Sequence, residues 1–136
     1  MGGVLAARFA IEHPQRVATL VLCATSGGVD VKALGGADWR PGFRAELPNV
    51  PDWFERDRTD LTARLGAITA STLILAGDED TICPPAVGRF LRERISRSRH
   101  EIVHGGGHDF ALKRPEEVAE IIRHHVSQVD AEDSRC

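Results

Sequence analysis

A chain of 136 residues, 42% of them apolar, with a formal charge of −3, has material for one globular domain that buries roughly two-thirds of its unfolded surface. Both signs of charge are interspersed and no basic stripe occurs, which sets aside nucleic acid and anionic membrane surfaces as partners. Cys23, Cys83 and Cys136 are widely spaced and lack the C-x-x-C pattern of zinc or redox pairs, so a reducing, cytoplasmic setting is expected.

The first segment, Gly2 to Glu12, reads as a helix. Leu5 and Phe9 stack at i, i+4, while Gly3, Ala6, Ala7 and Ala10 permit close backbone approach. A helix this apolar is expected under a sheet. Arg8 interrupts its apolar run and no basic region precedes it, so it is neither a signal peptide nor a membrane span. Pro14 ends it. Val17 to Ala24 is a near-continuous run of β-formers, the pattern of a strand buried on both faces of a parallel sheet.

From 27 to 58 the chain is rich in glycine and proline and carries Trp39, Trp53, Phe43 and Phe54. Uninterrupted irregular stretches of this length are uncommon and are often lids. The aromatics suit an apolar ligand or anchor the excursion on the core, and both readings stay open. Asp60 can cap a short helix carrying Leu61, Leu65 and Ile68. Ser71 to Gly77 is a second buried strand, and Pro84 and Pro85 open a helix with Val87, Phe90, Leu91 and Ile95 on one face. His100 to His104 is a shorter strand, less apolar and so expected nearer an edge. The last helix starts at Pro115 and is expected to bury Val118, Ile121, Ile122 and His125 on one stripe. Arg123 and His124, towards its C-terminal half, complement its dipole. Residues 129–136 read as a polar tail, leaving 1–128 as the domain. The fold class is therefore α/β, with about three parallel strands flanked by helices. Right-handed crossovers place the strand C-termini along one edge, where such sheets carry their chemistry.

Two loops leave that edge. One is Ala76-Gly77-Asp78-Glu79-Asp80-Thr81-Ile82-Cys83-Pro84-Pro85, and the other is Gly105-Gly106-Gly107-His108-Asp109. Three glycines let the backbone turn sharply and hold the His108 imidazole over a cleft. That imidazole can accept and return a proton at neutral pH if a carboxylate fixes its tautomer. Asp80, three residues beyond Gly77, is the choice for that carboxylate. Asp78 is the second candidate and is better suited to shaping the turn. Turn chemistry alone is the bland reading of both. A metal site from Asp78, Asp80, His104 and His108 is disfavoured, because oxygen-rich sites want more ligands. His13, His100, His124 and His125 read as surface or helix-end histidines.

These residues carry a resemblance. Thr72 to Asp80 with Pro84-Pro85 resembles the acid loop of the α/β-hydrolase fold family, and Val103 to Phe110 resembles its histidine loop. Arg114-Pro115-Glu116-Glu117-Val118 is similar to the start of its last helix, and Met1-Gly2-Gly3-Val4 to the residues that follow its nucleophile serine. The likeness covers nearly the whole chain. It implies Ser-His-Asp hydrolysis of an ester or related acyl bond in a small, apolar or ester-like substrate, with no cofactor and no metal. His108 would be the base, Asp80 its orienting acid, and the backbone N–H of Met1 one oxyanion donor. The chain departs from the family where catalysis begins: no G-x-S-x-G occurs in it. Ser26, Cys23 and Cys83 read as structural, since none combines an elbow with an adjacent base. The chain as given is therefore expected to be inactive, as the C-terminal part of a hydrolase shortened by truncation or by a late start. The competing expectation is a non-catalytic binding or oligomerising module that keeps the scaffold. Strand 17–24, without charge or proline, is expected to self-associate as a bare edge.

Overall fold

The computed structural model describes residues 1–56 and 58–133. Three strands, β1 (Thr19–Cys23), β2 (Ser71–Gly77) and β3 (Ser98–Val103), form one parallel sheet in the order β1-β2-β3. Leu20 lies opposite Thr72, and Thr72 opposite Ser98. Helix α1 (Gly2–Glu12) precedes β1, α4 (Pro85–Arg94) joins β2 to β3, and α6 (Pro115–Asp133) closes the chain after the single-turn α5 (Phe110–Lys113). Two further short helices, α2 (Arg40–Glu46) and α3 (Trp53–Arg56), lie between β1 and β2.

Alternation along each strand divides the core into two layers. On one face Leu20, Leu22 and Ile74 meet Ala7, Ala10 and Ile11 of α1, Val87 and Leu91 of α4, and Leu61, Leu65 and Ile68 from the 3₁₀ segment before β2. On the other, Leu73, Leu75 and Val103 meet Phe110 and Val118, with Ile121 and Ile122 partly buried beside them. Central strand β2 is buried on both faces from Thr72 onward, as a parallel strand covered by helices must be. Each fully buried leucine there contributes about 1.5–3 kcal/mol of transfer free energy.

Several sequence expectations change. Strand β1 lies at the edge expected for residues 17–24 but is not buried on both faces: Leu20 and Leu22 are buried, whereas Thr19, Val21 and Cys23 on the α6 side are only half-buried. In α1 the small residues face the sheet, whereas Leu5 is 57% and Phe9 42% exposed. The close approach this allows is real, since a Cβ on Gly3 would fall 2.4 Å from Thr25 Oγ1. The 27–58 excursion is not irregular: it holds α2, α3 and a 3₁₀ turn at Lys32–Leu34. Its anchors on the core are Val29, Val31 and Leu34, while Trp39 packs edge-on against Phe43 and lies under the Arg40 guanidinium. The side chains of Trp53 and Phe54, like Cys136, lie outside what the structure describes.

Strand β3 begins at Ser98, two residues early, and lies at the far edge. Helix α6 continues through residues read as tail, to Asp133, with Val129 buried. Arg123 and His124 are therefore mid-helix, and its last turn carries no basic residue. His125 is no surface residue. It is 3% exposed, its Nε2–H donates to Ser71 O at 3.2 Å, and its Nδ1 accepts from Arg99 Nε at 3.3 Å. His100 is also half-buried, its ring packed onto Gly88. Among the described residues no helix is long and apolar enough to cross a membrane.

Candidate active site

The acid and histidine loops meet because two glycines let their backbones touch. A Cβ on Gly77, at the end of β2, would fall 2.0 Å from Gly106 O. Glu79 N–H donates to the same carbonyl at 3.0 Å, and Asp78 N–H reaches Val103 O at 3.4 Å. Side chains complete the junction. Asp78 Oδ1 accepts the Gly105 N–H at 2.6 Å, and its Oδ2 lies 2.9 Å from His104 Nδ1. Arg114 Nη2 donates to Gly105 O at 3.0 Å, and its Nη1 bonds His104 O. Asp78 thus ties the two loops together at the surface, beside the hydrogen bonds from His104 and the Gly105 amide that lower its pKa. The sequence suggested a turn-shaping role for Asp78 but not its partner His104, since 26 residues separate them.

On this platform Asp80 and His108 come together. Asp80 Oδ2 lies 2.8 Å from His108 Nδ1. Its Oδ1 accepts the N–H groups of Ile82 at 2.9 Å and Cys83 at 2.8 Å. The Asp80 side chain is 0% exposed and that of His108 is 44% exposed. Burial alone would raise the Asp80 pKa, but hydrogen bonds from His108, Cys83 and Ile82 and the attraction of His108 outweigh it and hold the carboxyl below its usual range. Against an ionised Asp80, Nδ1 is the donating ring nitrogen, which in a neutral imidazole leaves the lone pair on Nε2. Among the described residues no side chain is hydrogen-bonded to Nε2.

The other sequence candidates have other surroundings. Burial, then the Asp80 charge, raises the Cys23 thiol, and the same two causes push Cys83 up to about 12. Both are neutral at physiological pH and are poor nucleophiles. Ser26 Oγ accepts the Gly28 N–H at 3.2 Å in a local turn. Met1 stands at the N-cap of α1, its C=O accepting from Val4 and Leu5, and Gly3 beside it is pressed against Thr25, just past the end of β1. The start of α1 therefore lies at the same sheet edge as the acid loop. Ala24, ending β1 there, is the one described non-glycine residue in the left-handed region, with φ 44°, a strain that accumulates at functional edges. No group of three or more His, Cys, Asp or Glu among the described residues could hold a metal ion. A cavity of about 300 Å³ bounded by Ser71, Arg97, Arg99 and His125 opens at the strand N-termini, away from Asp80 and His108.

No protein-family model matches the chain. It is 33% identical over 69 residues to the proline iminopeptidase PfmaB of Pestalotiopsis fici, covering 51% of this chain and 25% of that protein. It is 28% identical to the poly(3-hydroxyalkanoate) depolymerase of Ectopseudomonas oleovorans, covering 93% of this chain and 58% of the relative. Among solved structures, a thermophilic esterase from Thermogutta terrifontis, with malate bound, superimposes with a TM-score of 0.71 at 25% identity, covering 94% of this chain and 62% of the esterase. Other matched structures are of α/β-hydrolase enzymes. The chain thus spans between a quarter and just over half the length of its curated relatives. With three parallel strands, helices on both faces and a match over nearly its whole length, the chain has the α/β-hydrolase fold, of which it carries the C-terminal portion.

Proposed function

We propose that this chain supplies the base and the acid of a serine-type hydrolase acting on esters or related acyl bonds, and that the nucleophile stands in a longer protein immediately before Met1. The observation that carries this reading is the buried Asp80 carboxylate 2.8 Å from Nδ1 of a His108 side chain that is 44% exposed. In the reaction, Nε2 takes the serine hydroxyl proton as the serine oxygen attacks the acyl carbon. Asp80 stays ionised and stabilises the imidazolium. His108 then returns the proton to the leaving alcohol, and water, deprotonated by His108, releases the acid.

In the longer protein Met1 N is an amide at the N-terminus of α1, where the helix dipole favours the oxyanion. Its partner donor comes from upstream. Segment 27–58, rooted at the same edge, borders the acyl or alcohol pocket. The depolymerase matched over 93% of this chain and the esterase matched in fold support acyl–oxygen hydrolysis, and the iminopeptidase matched over 51% of the chain supports hydrolysis of a related acyl–nitrogen bond by the same base and acid.

The test has two arms. The chain as given should show no labelling by a fluorophosphonate probe. Stoichiometric labelling of Ser26, abolished by His108→Ala, would overturn the reading. An N-terminally extended protein from the same reading frame should contain G-x-S-x-G and cleave an aryl ester, with Asp80→Asn lowering kcat by roughly 10⁴. A stop codon directly before Met1 would leave the alternative, a non-catalytic module on the same scaffold.

A further inference from the structure

The excursion and the acid loop meet backbone to backbone at one place. Ala37 N–H donates to Thr81 O at 2.7 Å. Beside it, Gly36 lies so close to the next peptide that a Cβ there would fall 2.4 Å from Ile82 O and 2.9 Å from Val31 O. The two carbonyls engaged in this way are the two that follow Asp80. From the other side, Asp80 Oδ1 accepts the amides of Ile82 and Cys83. The Thr81 and Ile82 carbonyls therefore face the excursion, the first hydrogen-bonded to it and the second in close approach, while the carboxylate holds the Ile82 and Cys83 amides.

The gripping end is itself closed. Gly36 N–H donates to Val31 O at 2.7 Å, Leu34 N–H to the same oxygen at 3.1 Å, and Gly35 N–H to Lys32 O at 3.1 Å. Gly35 takes φ 86°, the left-handed conformation that lets the turn reverse. Val31 and Leu34 pack on the core layer that also holds Ile74 of β2. The clamp and the strand that launches the acid loop thus share one rigid base.

We propose that the 31–37 turn sets the Asp80 carboxylate against His108, with Gly36 and Ala37 as positioning residues acting through the Thr81 and Ile82 peptides. This rests on the reading in which Asp80 orients His108. A side chain at 36 must move the Ile82 peptide by roughly 1 Å to reach ordinary contact. That shift pulls the Ile82 and Cys83 amides from Oδ1 and turns Oδ2 away from Nδ1. Gly42, in α2 of the same excursion, has nothing within 4 Å of the position of its would-be Cβ, so Gly42→Ala is the matched control.

The experiment follows the low-field proton resonance of His108 Nδ1–H in Gly36→Ala, Gly42→Ala and the unsubstituted chain, together with native-state hydrogen exchange of the unsubstituted chain. Gly36→Ala should shift the resonance upfield and speed its exchange at least tenfold, while Gly42→Ala leaves it unchanged. A merely structural Gly36 would lower Tm and leave the resonance in place, and that result overturns the proposal. In the unsubstituted chain the Ala37, Ile82 and Cys83 amides should open together, with one dependence on denaturant. Ala37 exchanging while Ile82 and Cys83 stay protected would overturn it even if Gly36→Ala does not fold. Failure of the hydrolase reading looks different: an inactive extended protein with the resonance and the joint opening intact.

Discussion

Removing the Asp80 side chain should separate its structural from its chemical role. In Asp80→Ala the Ile82 and Cys83 amides and the His108 Nδ1–H all lose their acceptor. Cys83 is 6% exposed, so water cannot readily replace the carboxylate there. Leaving buried donors unmade costs about 1–3 kcal/mol each, which puts the loss at about 2–4 kcal/mol once the carboxylate desolvation avoided by alanine is allowed for. Asp80→Asn keeps Oδ1 as an acceptor for both amides and should lose only about 1 kcal/mol. Its Nδ2–H₂, however, faces a ring N–H, and the imidazole must move its proton to Nε2 to accept from it. Urea unfolding at neutral pH measures the first effect, and the ¹⁵N shifts of His108 report the second. The reasoning fails if Asp80→Ala lies within about 0.5 kcal/mol of the unsubstituted chain, the range of surface substitutions. It fails equally if Asp80→Asn leaves His108 protonated on Nδ1.

Three other outcomes are expected. Gly77→Ala drives a methyl to 2.0 Å from Gly106 O and should lower stability by about 1–3 kcal/mol, read by urea midpoint, whereas an unchanged midpoint would mean the two loops are not in fixed contact. Because the folded-state pKa of Asp80 is depressed, its contribution is full above the unfolded value of about 3.9 and is lost as pH falls through the lower folded value; the gap in urea midpoint between the unsubstituted chain and Asp80→Asn should therefore close only in strong acid, and a gap that closes near neutrality would contradict the shift. Ser71 N–H donates to Ala18 O and Ala24 N–H to Leu75 O, so alternation turns the N–H groups of Thr19, Val21 and Cys23 to the open edge. The chain alone should then self-associate in sedimentation, and Val21→Pro, which removes one outward donor, should weaken this without breaking the β1–β2 ladder; a monomer at high concentration with a cooperative melt would refute it.

What the sequence by itself determined is what local pattern controls. Apolar runs placed β1 within 17–24 and β2 at 71–77, proline placed the starts of α4 and α6, and Gly-Asp and Gly-Gly-Gly-His after strands singled out Asp80 and His108. What only the tertiary structure decided are contacts between segments far apart in the chain. Periodicity shows that α1 is amphipathic but cannot tell a small-residue face pressed on a sheet from a Leu5–Phe9 face left outside. It put His125 on the buried stripe of the last helix but could not supply the Ser71 and Arg99 partners that reach it from two strands. Nothing in the local pattern singles out Gly36 or sets Gly77 apart from the strand it ends, yet both matter because another backbone passes where their Cβ would stand. The sequence could name an acid and a base. Their separation of 2.8 Å comes from loops that touch through their main chains, and main-chain contact leaves no pattern in side-chain order.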